Sequence, residues 1–288
     1  MRIAFIVMAY KEPEQIDRLV KSMKHEAFDF YIHVDAKFDI QPFLFLKQNS
    51  NVYFFKKHHV VYWAAWNFTK TLILCIKEVL ESGIQYDFIA NLSGQDYPIK
   101  SNDFIAAYHQ NNIGKSFFTL ENHDSDWWTH AQRRVSEYHM TNHSFPGRYK
   151  VQDAMNLLLP KRTFPVYKQL YGGPRATWWT MSADAAHYVA DTVLNNQKLQ
   201  RFCNFTWCAD EFLIPTVLMN SHYKDTMINN SGRYIDWSQG GANPKILTVN
   251  DFNQVMAYGM LYARKFDVKV DTEVLDLIDE ARVKQSAS

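Results

Sequence analysis

The side chains best equipped for chemistry stand where predicted elements begin and end. Asp35 closes the β-type run Phe28–Val34, and open α/β sheets bind ligands at the C-terminal ends of their strands. Asp210-Glu211 opens a predicted helix over 209–220, where two acids either favour the helix dipole or supply a general base. Asp96, in Ser93-Gly94-Gln95-Asp96, lies just past a fourth strand. Asp124-Ser125-Asp126 falls in a loop-rich stretch and reads as a solvent- or ligand-facing loop. Cys203 and Cys208 are spaced C-x4-C without a second Cys pair or a His pair, which leaves a zinc site incomplete. Together with Cys75 they are expected to be reduced structural thiols. The ten glycines form neither G-x-G-x-x-G nor G-x4-G-K-[ST], which disfavours dinucleotide oxidoreductases and P-loop kinases. H-E-x-x-H and G-x-S-x-G are also missing, which weakens zincin and α/β-hydrolase readings.

The elements that must position these groups alternate in type. Strands are expected at 3–8, 28–34, 52–55 and 86–92, with helices at 13–24 and 66–81, the second capped by Gly83. Such alternation predicts a mostly parallel sheet with crossover helices, and the unbroken apolar runs predict strands buried on both faces. Ser101-Asn102 starts a helix over 103–109. Residues 121–175 look loop-rich, after which a strand at 177–181, helices at 183–195 and 209–220, and a strand at 227–237 restore the rhythm. Helices at 251–259 and 272–284 close the chain. One α/β domain over 1–288 with a long insertion is the economical organisation, and 288 residues can bury a large core. Thirty-one Lys and Arg against 30 Asp and Glu leave no chain-wide basic field, so nucleic acid is not implied. Aromatic residues make up 15%, which suits a core, an interface or a sugar-stacking site equally.

Five ordered segments carry a family resemblance. Phe30-Tyr31-Ile32-His33-Val34-Asp35-Ala36-Lys37 is similar to an hVDxK strand end, and Val60-Val61-Tyr62-Trp63-Ala64-Ala65-Trp66 to a V-x-W/Y-A-x-W segment. The most specific is Asn91-Leu92-Ser93-Gly94-Gln95-Asp96-Tyr97-Pro98-Ile99-Lys100, similar to L-[SC]-G-x-D-[YF]-P-[IL]-K. Ala209-Asp210-Glu211 is similar to a P-D-E at a helix start, and Leu261-Tyr262-Ala263-Arg264-Lys265-Phe266-Asp267 to L-F-A-x-K-F-D. Over 1 to about 270 the chain resembles the core-2/I-branching and peptide xylosyltransferase family, glycosyltransferase family 14. The resemblance implies a GT-A-type α/β fold, with a nucleotide-binding half at 1–120 and an acceptor-binding, catalytic half at 121–288.

It also implies roles. Glu211 matches the family's base for the attacking hydroxyl, and Asp210 would cap the helix, orient a donor group or join the acceptor contacts. The nucleotide-sugar set is Val7, Asp35, Tyr62, Asp96, Lys245, Arg264 and Lys265, with Tyr62 near the base and Lys265 on the diphosphate. Strict spacing for a second basic residue lands on Ala242, and a short gap puts Lys245 there. Arg264 would point away from Lys265 if this stretch is extended. Asp96 stands alone where many GT-A enzymes carry a D-x-D motif; one carboxylate is a poor cradle for Mg2+ or Mn2+, so no metal and no other cofactor is expected. Acceptor contacts would come from Glu121, Arg133, Arg134, Tyr138 and Trp237, the last stacking on a sugar.

The expected activity is inverting transfer of N-acetylglucosamine or xylose from a UDP-sugar to a glycan hydroxyl. The early first strand leaves no room for a signal peptide, and no apolar run spans a membrane. A bacterial cytoplasmic enzyme of surface-polysaccharide synthesis is expected, acting on a glycan or lipid-linked saccharide, with peripheral contact at the inner membrane face left open. The alternative is a sugar- or nucleotide-binding protein that kept the fold without catalysis.

Overall fold

The computed structural model describes residues 1–241 and 243–286, so Ala242 lies outside the described residues. Among the described residues ten strands are present: β1 Ile3–Ala9, β2 Phe28–Val34, β3 Val52–Phe54, β4 Phe88–Ser93, β5 Asp96–Pro98, β6 Ser116–Phe118, β7 Thr180–Ser182, β8 Met227–Asn229, β9 Arg233–Ile235 and β10 Tyr262–Arg264. The α-helices are α1 Pro13–Ser22, α2 Trp66–Leu80, α3 Asn102–Gln110, α4 Asp126–Ser136, α5 Arg148–Leu158, α6 Ala183–Leu194, α7 Gln197–Cys203, α8 Leu213–Met219, α9 Phe252–Ala257 and α10 Glu273–Ser286.

Seven strands form one sheet in the order β3-β2-β1-β4-β7-β6-β8, and β5-β10-β9 form a second. Around β1 the large sheet is parallel, through β2 and β4, while β7 runs antiparallel to β4 and to β6. Because side chains alternate along a strand, Ile3, Phe5 and Val7 enter one apolar cluster and Ala4 and Ile6 the other. The first cluster takes Ile16 and Leu19 of α1 and Ile278 of α10; the second takes Leu72 and Ile76 of α2 and Val189 of α6. Helices on both faces thus explain why β1 is apolar at every position.

Several expected boundaries shift. The strand expected at 227–237 is two strands, because Gly232 at φ +69 turns the chain so that β8 joins β6 while β9 joins β10. The stretch 121–175 is less loop-rich than its polarity suggests, since it holds α4 and α5. Residues 209–220 begin with a separate 3-10 turn, Ala209–Glu211, and 251–259 shortens to α9 behind a 3-10 turn at Val249–Asp251. Gly83 takes φ +83 two residues beyond the actual cap of α2, Glu81. Ser101 does cap α3, accepting from the Phe104 N–H at 3.3 Å. The three thiols are unpaired and buried.

Candidate active site

The Ala209–Glu211 turn is fixed from two sides. Cys208 enters it at φ +50 and donates its N–H to the Ala64 carbonyl at 2.8 Å, with Ala64 itself at φ +59. Two non-glycine residues in the left-handed region, joined to each other, clamp the Tyr62–Trp66 segment to the turn. On the other side, Gly173 N–H donates to the Glu211 carbonyl at 3.0 Å and Glu121 N–H to the Gly172 carbonyl at 2.8 Å. A Cβ at Gly172 would lie 2.4 Å from the Glu211 carbonyl oxygen, so the close approach requires glycine.

The two acids of the turn have different environments. Asp210 is buried, accepts from the Thr177 hydroxyl at 2.6 Å and keeps its other carboxylate oxygen without a partner. Burial pushes its pKa up, against the hydrogen bonds that hold the charged form. Glu211 is paired with Arg134 of α4. Burial nevertheless lifts the Glu211 carboxyl to about 7, Arg134 opposing the rise and Asp210 adding to it. Arg134 itself is held between indoles, 5.2 Å from the Trp127 ring and 4.9 Å from the Trp207 ring. Trp127 and Arg134 are seven residues apart on α4, which puts them on one face two turns apart. The Trp127 indole N–H also favours the charged carboxylate, although it has no partner at full hydrogen-bond geometry.

The other acceptor-side residues are less concentrated. Arg133 forms a two-bond pair with Glu137 on the exposed side of α4, at 3.0 and 3.2 Å. The Tyr138 ring lies under the Arg162 guanidinium at 5.2 Å. Glu121 is half-buried, and its carbonyl accepts weakly from the Trp128 indole at 3.4 Å. Trp237 is half-buried with its indole N–H unpartnered.

On the donor side, Asp35 sits at the end of β2 and accepts from the N–H groups of Lys37 at 3.0 Å and Val61 at 3.2 Å. The Lys37 ammonium lies 3.3 Å from Asp35 and 4.9 Å from the Tyr62 ring centroid. Trp63 beside them is 69% exposed. Val7 is fully buried in β1, paired with Ile32 and Leu92, so its place is the sheet interior.

A second cluster surrounds β5 and β10. One Asp96 oxygen accepts from the N–H and hydroxyl of Ser93; the other has no partner and lies 3.9 Å from Arg264 Nε. The buried Arg264 guanidinium stacks 3.5 Å over the Trp178 ring, and its Nε and Nη1 are unpartnered. Lys265 next to it is half-buried, and burial followed by repulsion from Arg264 and Lys11 lowers its pKa. Lys11, two residues past β1, binds Asp267 at 2.6 Å. Lys245 is paired with Asp251 at 2.6 Å, on a segment that lies beside Lys265, where the Leu247 N–H donates to the Lys265 carbonyl at 2.8 Å. Among the described residues, no three His, Cys, Asp or Glu side chains converge as a metal-binding group. Asp124 and Asp126 flank Ser125, the residue before α4.

Sequence reasoning missed Lys11, Thr177, Gly172 and Trp207. Lys11 could have been found by the strand-end rule that singled out Asp35. The other three reach the site through tertiary contacts and carry no local signal.

A family model described as Core-2/I-Branching enzyme matches residues 3–257. The chain is 25% identical to xylosyltransferase 1 of Canis lupus familiaris over 97% of its own length and 30% of that protein's. It is 26% identical to xylosyltransferase 2 of Homo sapiens over 97% of this chain and 33% of that one. It therefore spans about a third of the length of these curated relatives. Among solved structures, the apo form of mouse xyloside xylosyltransferase 1 aligns over 91% of this chain and 96% of that one, at 10% identity and a TM-score of 0.44.

Proposed function

Because the chain belongs to the core-2/I-branching enzyme family, we propose that it is an inverting glycosyltransferase that uses a UDP-sugar and needs no metal ion. Its mostly parallel, helix-flanked sheet is of the GT-A type. The observation that carries the reading is Glu211: a largely buried carboxyl raised to about 7 and oriented by Arg134 on a rigid turn. A base with a pKa near neutrality combines a useful ionised fraction with real affinity for a proton.

Glu211 takes the proton of an acceptor hydroxyl as its oxygen attacks the anomeric carbon. The bond from that carbon to the β-phosphate oxygen breaks, and UDP leaves with the electron pair, so an α-linked donor gives a β-linked product. Lys265, Arg264 and Lys11 supply positive charge to the departing diphosphate. Asp96, bonded to Ser93 and facing Arg264, is engaged in a manner that suits cation pairing better than metal ligation. Asp35 and Tyr62 serve the nucleoside, and Trp237, Glu121 and Tyr138 the acceptor. The sugar is N-acetylglucosamine or xylose, and the acceptor a glycan or lipid-linked saccharide in bacterial surface-polysaccharide synthesis.

A panel of UDP-sugars tested for UDP release in excess EDTA, with and without saccharide acceptors, tests this. Acceptor-dependent release that persists in EDTA is expected, and a strict Mn2+ requirement refutes the metal-free mechanism. UDP-sugar binding without release or hydrolysis across the panel would favour the non-catalytic alternative.

A further inference from the structure

Helix α5 is packed inside out. None of its residues is buried. The side chains that tether it are polar: Gln152 accepts from the Met140 N–H at 2.9 Å, and Asn156 both accepts from the Tyr138 N–H at 2.7 Å and donates to the Tyr138 carbonyl at 2.9 Å. Its apolar side chains, apart from the half-buried Met155, face water. Leu157 and Leu158 are 83% and 79% exposed, and Leu159, Tyr149, Val151 and Phe145 are exposed beside them. An ordinary surface helix does the reverse, so this face is a candidate contact surface.

Charge and shape narrow the partner. Residues 145–168 carry five Lys or Arg and one Asp, in a chain that is otherwise balanced. A symmetric pairing of two copies through this face would set two net-positive patches against each other. A helix that docks in a protein groove presents one stripe, at i, i+3, i+4 and i+7. Here Leu157 and Leu158 of the last turn point about 100° apart, and Leu159 leaves the helix in extended backbone, with all three exposed. That spread suits a continuous apolar medium, and the surrounding lysines suit anionic headgroups. Among the described residues no helix is long and apolar enough to cross a membrane, so the contact would be peripheral.

We infer that α5 and the leucines at its end form an interfacial site that seats the protein on an anionic lipid surface, with Leu157, Leu158 and Leu159 entering the acyl boundary and Lys150 and Lys161 meeting headgroups. The inference rests on this surface and not on the transfer reaction, so vesicle binding and UDP release fail separately. Arg162 anchors the following segment to the carbonyls of Phe202, Phe205 and Glu137. The anchored face therefore stays tied to the segment that follows α4, which carries Arg134.

The test is flotation of the full chain with phosphatidylglycerol–phosphatidylcholine vesicles against phosphatidylcholine alone. Wild type should bind the anionic vesicles at least about tenfold better and lose binding in high salt. Leu157→Glu with Leu158→Glu, and separately Lys150→Glu with Lys161→Glu, should each weaken anionic binding by about tenfold or more while the thermal melt is unchanged. Equal partition to neutral and anionic vesicles overturns the proposal, as does undiminished flotation of the leucine variant. A dimer in sedimentation that the leucine variant dissolves would make the face a self-association surface and would also overturn it.

Discussion

Replacing Glu211 with Gln tests the buried carboxyl through stability as well as turnover. Burial raises this group from its ordinary 4.5 to about 7 even with Arg134 beside it. A carboxyl whose folded pKa exceeds its unfolded value holds its proton more tightly in the folded protein. Its contribution to stability is complete below about pH 4.5 and is lost as pH rises through about 7. At about 1.4 kcal/mol per pH unit of difference, ionising the folded side chain costs about 3 kcal/mol. Gln has nearly the same volume, its amide oxygen can accept from Arg134, and it never becomes charged. The stability of the variant relative to wild type should therefore rise by about 3 kcal/mol from about pH 4.5 to about pH 8. Urea denaturation at several pH values, compared through midpoints at constant slope, measures this difference. A difference that does not change with pH would refute the buried, proton-retaining carboxyl. In the same variant, turnover should fall by about 10²- to 10⁴-fold with UDP-sugar affinity retained, and near-normal turnover would remove Glu211 from the mechanism.

Arg134→Gln removes the cation that opposes the rise at Glu211, so the acid limb of kcat/KM should move upward by about one pH unit or more. Stability should drop by about 3 kcal/mol, and an unmoved limb would show that the pair does not tune the base. Gly172→Ala forces the Glu211 turn to shift and should lower kcat by about 10²-fold with donor affinity unchanged, as steady-state kinetics and donor titration would show. Lys265→Ala should slow transfer by about 10²- to 10³-fold without moving the acid limb, and an unchanged rate would take Lys265 off the diphosphate. Burial raises the pKa of each of the three thiols, so a thiol reagent should label Cys75, Cys203 and Cys208 only as the chain unfolds.

Local pattern served the first half of the chain best. The strands at 28–34 and near 3–8 fall where continuous β-type runs place them, because burial on both faces removes polar positions from the sequence. It served the short strands worst. β5, β6 and β10 are three residues each, too brief for a period to emerge, and α4 and α5 were obscured because their polar residues do structural bonding. The strand expected at 227–237 misled for a related reason: its composition is β-like throughout, and only Gly232 marks where the chain changes sheets.

The sequence by itself determined the α/β class, the family, and the residues whose types suit a base, a strand-end acid and a diphosphate lysine: Glu211, Asp35 and Lys265. Only the tertiary structure decided their company. Arg134 meets Glu211 across 77 positions and Lys11 meets Asp267 across 256. No local period records such pairs, because they are brought together by the crossing of elements rather than by their own propensities. The raised Glu211 carboxyl depends on the same packing, since desolvation is a property of the surroundings a residue acquires on folding. So does the outward face of α5: its leucines are ordinary helix residues in sequence, and only the polar tethers at Gln152 and Asn156 turn them toward the solvent.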